Sequence, residues 1–178
     1  MQAITVKSQA AVGIRVKCKK EVESMSHEPD IFWEDFNLDS RVSMGTVSVD
    51  RDEVIEFAKR YDPQPFHVDP EAAKESIYGG IIASGWHTCS MVMRLMCDSY
   101  LLNSSSLGSP GIENVRWLLP VFPGDKLTAY RTVTEKRASK TRPDRGIVKT
   151  FWEVENQDYK IVMTMTGVNF FLKRDQSL

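Results

Sequence analysis

Asp62 and His67 stand five positions apart in YDPQPFHVDP, residues 61–70, together with Pro63, Pro65 and Pro70. A carboxylate and a neutral imidazole can divide acid–base work on one water molecule, the first taking a proton and the second supplying or relaying one. The prolines at 63 and 65 fix φ and remove backbone donors, so the segment cannot continue a helix and has few conformations. Such stiffness suits two side chains that must keep a fixed separation. Phe66 is placed to anchor the loop on the core, and Asp69 to cap the helix that follows. The competing reading is a proline turn whose histidine simply packs.

A second group lies in IIASGWHT, residues 81–88. Ser84 and Gly85 stand where a helix begins, and helix N-termini carry free N–H groups and partial positive charge. A glycine there admits a ligand carbonyl close to the backbone, which makes the Gly85 amide a candidate oxyanion donor for a thioester carbonyl that gains negative charge during reaction. Ser84 is also a natural N-cap, a role compatible with the first. It is no catalytic serine, because no GxSxG turn surrounds it.

The elements that must carry these residues follow from periodicity. MGTVSV (44–49) alternates as a short strand. DRDEVIEFAKRY (50–61) opens on an aspartate cap with an acidic first turn and reads as an amphipathic helix ended by Pro63 and Pro65. DPEAAKESIY (69–78) reads as a second, short helix with Pro70 in its first turn, broken by Gly79-Gly80. SGWHTCSMVMRLMCDSYLL (84–102) is apolar on nearly every face, the pattern of a buried helix. IENVRWLLP, DKLTAYRTVTEKRAS, GIVKTFWEVENQ and KIVMTMTGVNFFLK then read as four strands separated by turn sequences. Helices followed by long antiparallel strands give an α+β domain, with a sheet folded around one buried helix.

Composition bounds the function. The chain of 178 residues is 42% apolar and 26% charged, with a net charge of −1, enough for one domain with a real core and without the basic footprint of a nucleic-acid binder. Three cysteines, Cys18, Cys89 and Cys97, form neither a CxxC pair nor a zinc-ligand spacing, so a disulfide framework and a metal site are not expected. No apolar run approaches the ~20 residues of a membrane span, and the expectation is a cytoplasmic protein without nucleic-acid or membrane partners. Residues 1–30 read as an N-terminal extension and 31–178 as the domain. Within the extension AVGIRVKC (11–18) alternates like a strand; it is open to reading as an extra edge strand, an organelle-type presequence, or sequence upstream of a start at Met25.

FAKRYDPQPFHVDPEAAKESIYGGIIASGWHT resembles the signature of the MaoC-like dehydratases, the (R)-specific enoyl-CoA hydratases of hotdog fold. The pattern is Asp, two residues, Pro, one residue, His, one residue, Asp, with a glycine at a later helix start. VRWLLPVFPGDKL is similar to the family's strand and turn after that helix, and the likeness spans roughly residues 40 to 172. It implies a single hotdog domain, a long buried central helix wrapped by an antiparallel sheet. It further implies Asp62 and His67 as the catalytic pair and Gly85 as the oxyanion glycine. The reaction implied is reversible hydration of a trans-2-enoyl thioester to an (R)-3-hydroxyacyl product. Coenzyme A then enters only as part of the substrate, without metal or redox cofactor, and two copies pair into a homodimer with the pocket at their interface. Gln64 stands where many hydratases carry asparagine, and Ser84 where many carry histidine; both leave the acyl group open.

Gln64, Pro65, Ser84, Trp86, Tyr78 and Gly80 are the candidate substrate-binding residues, Tyr78 with Gly79-Gly80 as a rim over the acyl chain. His87 reads as a core histidine with a satisfied hydrogen bond, near enough to the oxyanion site to assist, and His27 as solvated. Arg137, Lys140, Arg142 and Arg145 share one hairpin and could meet coenzyme A phosphates. The alternatives are a hotdog thioesterase, or a non-catalytic thioester-binding subunit in which Asp62 and His67 are turned apart.

Overall fold

The computed structural model describes residues 28–174. The strand-like segment 11–18, Cys18 and His27 lie outside them.

β1 (Arg41–Ser48) leads into α1 (Arg51–Tyr61), whose first turn is closed by Asp50: one carboxylate oxygen accepts from the amides of Asp52 (2.8 Å) and Glu53 (3.0 Å). The prolines then shape the path. Asp62 bends out of the helix (φ −151°, ψ 66°), as a residue before proline must. Pro65, with its fixed φ, starts a single helical turn, α2 (Pro65–Val68), where the sequence reads only as a loop. Asp69 caps α3 (Pro70–Glu75) by accepting from the amides of Glu71 and Ala72. That helix stops three residues earlier than its sequence pattern suggests, because the Ser76 hydroxyl donates to the Ala73 carbonyl at 2.6 Å and the chain turns toward Gly79 at φ +70°.

α4 (Gly85–Met96) is the central helix, continued by one π-helical turn from Cys97 to Leu101. Beyond it come two short strands, β2 (Gly111–Ile112) and β3 (Arg116–Trp117), and three long ones, β4 (Lys126–Ala138), β5 (Arg145–Glu155) and β6 (Ile161–Leu172). These strands pair antiparallel, in the order β1-β4-β5-β6-β2, with β3 also on β6. The single strand expected over IENVRWLLP is therefore two pieces. Three residues, Glu113 to Val115, stand opposite two, Met165 and Thr166, and this one-residue bulge splits the ladder.

The inner face of the sheet closes on α4. β5 alternates without a break, burying Val148, Thr150, Trp152 and Val154. Val148, Trp152 and Val154 join Val92 and Met96 of α4, Val54 of α1 and Leu127 and Val133 of β4 in one apolar cluster. The domain is thus α+β, an antiparallel sheet around a central helix. α4 is not enclosed on every side, however. Trp86 is 60% and Met93 48% exposed, and they leave one side of the helix uncovered by the sheet.

Truncation should report this layering. Leu127→Ala, at a fully buried side chain, is expected to cost ~2–5 kcal/mol in urea unfolding. Leu102→Ala, at a largely exposed one, should stay within ~0.5 kcal/mol.

Candidate active site

His67 is oriented by main chain. The segment 81–84 runs between α2 and the loop before β4, with the Ile82 amide donating to the Phe66 carbonyl (3.3 Å) and the Ala83 amide to the Val121 carbonyl (2.8 Å). This places the Ile82 carbonyl 2.7 Å from His67 Nδ1. A carbonyl can only accept, so Nδ1 carries the proton and, in the neutral ring, Nε2 is bare. The imidazole is buried, packed edge-on against Phe66, whose ring lies 5.3 Å from Tyr78.

Nε2 faces Asp62 Oδ2 at 3.4 Å. With the ring neutral both atoms are acceptors, and a molecule able to donate to both, such as water, satisfies the pair; with the ring protonated, Nε2 faces the carboxylate as its counter-charge. Asp62 is itself held from two sides. Ser84 Oγ donates to Oδ2 at 2.7 Å, and Gln64 Nε2 donates to Oδ1 at 2.8 Å. These bonds, that from Ser84 first, hold the carboxyl below its ordinary range against the opposing effect of desolvation, and His67 adds a smaller effect in the same direction. Asp62 is therefore an anion at neutral pH.

Ser84 has a second duty. Its Oγ accepts from the Trp86 amide at 3.3 Å and so caps α4. Gly85 is the first residue of that helix, and its amide has no acceptor within the helix. The space above its Cα is not open to a ligand. A Cβ built there would lie 2.7 Å from both Cδ2 and Nε1 of Trp117 and closer still to Cε2, and Trp117 Nε1 donates to the Gly85 carbonyl at 3.0 Å. A ligand oxygen can meet Gly85 along its N–H, not across its Cα.

These groups border a cavity of about 500 Å³. Asp62, Gln64, His67 and Tyr78 line it from one side, with Gly85, Trp86 and Trp117 among its other walls. Pro65 and Gly80 do not reach it, and Ser84 is fully buried behind Asp62, so its contact is with the carboxylate. Leu118, Leu119 and Val162 also line it and were not among the residues singled out from sequence. Trp117 lies in VRWLLPVFPGD, and the resemblance of that stretch to the family is the sequence signal that points to it.

His87 departs from expectation. It is buried and stacked on Phe57 (4.8 Å, 18°), but Nδ1 has no hydrogen-bond partner. Burial pushes its pKa down, with Glu53 acting weakly in the other direction. It faces a separate groove between α1 and α4. Arg137, Lys140, Arg142 and Arg145 sit about the β4–β5 turn and none lines the cavity; Arg145 pairs with Asp144 at 2.7 Å. Among the described residues no three His, Cys, Asp or Glu side chains are grouped to hold a metal ion, and no helix is long and apolar enough to cross a membrane.

Known proteins resemble this chain in sequence and in fold. A family model described as "MaoC like domain" matches residues 37–158. A solved MaoC-like dehydratase from Rhodospirillum rubrum is 37% identical, with a TM-score of 0.76 covering 82% of this chain and 99% of that one. The 3-hydroxyacyl-thioester dehydratase Z of Mycobacterium tuberculosis (strain ATCC 25618 / H37Rv) is 31% identical over 111 residues, 61% of this chain and 74% of its own. The (R)-hydratase from A. caviae involved in PHA biosynthesis, at 24% identity and a TM-score of 0.60 over 79% of this chain and 99% of its own, shares the fold.

Removing the Ser84 hydroxyl tests the electrostatics. Ser84→Ala should raise the Asp62 pKa in a carboxyl NMR titration. The lowered pKa of Asp62 contributes stability that is present above the ordinary carboxylate range and is lost as pH falls through the folded value. The stability deficit of Ser84→Ala, about 1–3 kcal/mol at pH 7, should therefore shrink on acidification; a deficit that does not change with pH would contradict this account.

Proposed function

This chain belongs to the MaoC-like domain family, and from that premise we propose that it is a hydro-lyase which reversibly hydrates trans-2-enoyl thioesters of coenzyme A to (R)-3-hydroxyacyl thioesters. The relatives named above support the coarser reading, a dehydratase or hydratase. The observation that carries the finer one is the facing of Asp62 Oδ2 and the bare Nε2 of His67, 3.4 Å apart, beside the cavity at the start of α4.

A water donating to both acceptors has its oxygen free to attack C3 of the enoyl group. As the C3–O bond forms, the pair takes one proton from that water, and it returns one proton to C2, so the enzyme ends as it began. His67 can only hand on a proton it has first received, because neutral Nε2 carries none. Asp62, kept anionic by Ser84 and Gln64, stabilises the proton while the imidazole holds it. Negative charge moves to the thioester oxygen as C3 is attacked, and the Gly85 amide, reinforced by the helix dipole, meets it there. Tyr78 and Trp86 flank the acyl group. A thioester-binding subunit without catalysis would need Asp62 and His67 turned apart, and they face each other.

The reading extends to assembly. Ile112, Trp117, Leu118 and Leu119 are exposed large apolar residues at the edge that carries β2 and β3, and Trp86 of α4, also exposed, packs on Trp117. An exposed apolar sheet edge calls for a partner, and a second copy of the chain placed there would complete the mouth of the pocket.

Loss of enoyl absorbance with crotonyl-CoA, followed alongside free thiol, tests the chemistry. Wild type should turn over without thiol release, and Asp62→Asn and His67→Ala should each lose ~10²–10⁴-fold in kcat. Release of thiol would instead make the protein a thioesterase. Sedimentation velocity should find a dimer that Leu118→Lys dissociates; a stable wild-type monomer would remove the homodimer.

A further inference from the structure

We propose that Trp117 is a positioning residue for the reaction, the side chain that sets where the Gly85 amide points; the assignment rests on the hydratase reading above. Three contacts converge. The indole occupies the space a Cβ at Gly85 would need, Nε1 donates to the Gly85 carbonyl at 3.0 Å, and the ring meets Trp86 edge-to-face at 5.4 Å and 77°. The first turn of α4 is thereby gripped at its Cα, at its carbonyl and through the next side chain.

Trp117 is itself fixed by short main-chain ties to β6. Its Cα pairs with Met163 in register, and the Leu118 amide donates to the Val162 carbonyl at 2.8 Å. Yet the residue is 47% exposed and lines the cavity. Its indole packs on Gly85 and Trp86, the first two residues of α4, the first of which carries the proposed oxyanion donor.

Glycine at position 85 follows from this contact. Any side chain there would displace the indole or rotate the first turn of the helix, and a donor misplaced by about 1 Å can cost ~10²-fold in rate. The intolerance is mutual, so shrinking the indole should restore what a methyl at 85 removes.

The test uses the full chain carrying Gly85→Ala, Trp117→Leu, Trp117→Phe, and Gly85→Ala combined with Trp117→Leu. Each is measured for kcat and KM with crotonyl-CoA, and for folding by circular dichroism and thermal melting. Gly85→Ala should lower kcat ~10²-fold or more while KM moves less than about threefold, the signature of an interaction made in the transition state. The double variant should recover at least about tenfold in kcat over Gly85→Ala. Trp117→Phe, which keeps an aromatic wall but deletes the donor to the Gly85 carbonyl, should lose several-fold in kcat with its melting temperature near wild type.

A folded double variant no faster than Gly85→Ala overturns the assignment while leaving the hydratase reading intact. So does a Trp117→Leu whose losses lie in melting temperature alone. A wild type silent on every enoyl thioester sinks the hydratase reading first, and this assignment with it.

Discussion

The hydroxyl of Ser84 joins two parts of the molecule, the Asp62 carboxylate and the start of the central helix. With its proton it holds the Asp62 carboxylate, and with a lone pair it holds the second amide of the central helix. One buried oxygen therefore couples the end of α1 to the start of α4. The Asp62 charge and the positive end of the helix dipole are set at a fixed distance by the same atom. The Ser84 side chain is wholly enclosed, so solvent cannot substitute for either bond.

Around that tie the site is assembled mostly from main chain. Pro63 turns the chain sharply out of α1, Pro65 starts the one-turn α2, and the two prolines fix the geometry in which Asp62 and His67 come face to face. The Ile82 carbonyl selects the proton position on His67, and the first turn of α4 offers an amide no helix partner can use. Side chains do less here than their types suggest. Phe66 packs the histidine and is itself backed by Tyr78, and Gln64 finishes the solvation of Asp62.

Much of this was legible in the residues. Strict alternation announced β5, and the aspartate caps announced α1 and α3, because each is a local signal with a local cause. The Asp62–His67 pairing was legible because proline is the one residue that restricts its own neighbourhood. The split of IENVRWLLP was not, since a one-residue bulge is set by what lies opposite, on β6, and leaves the alternation untouched. Nor was the clasp of Trp117 on Gly85, which joins residues 32 positions apart. Ser84 was read as a cap and as a neighbour of substrate, while its bond to Asp62 belongs to tertiary structure. His87 read as a satisfied core histidine, but the unpartnered Nδ1 depends on the stack against Phe57 from a different helix.

The dependence of His67 on the Ile82 carbonyl has a consequence for how such a site drifts over generations. A carbonyl is supplied by every amino acid, so the proton position on the imidazole is insured against point mutation at position 82. Substitutions there can alter the fit of a buried side chain, yet none can delete the acceptor. The proton position is thereby separated from the identity of its immediate neighbour, and lineages are free to resculpt the cavity wall at that position while inheriting the same tautomer.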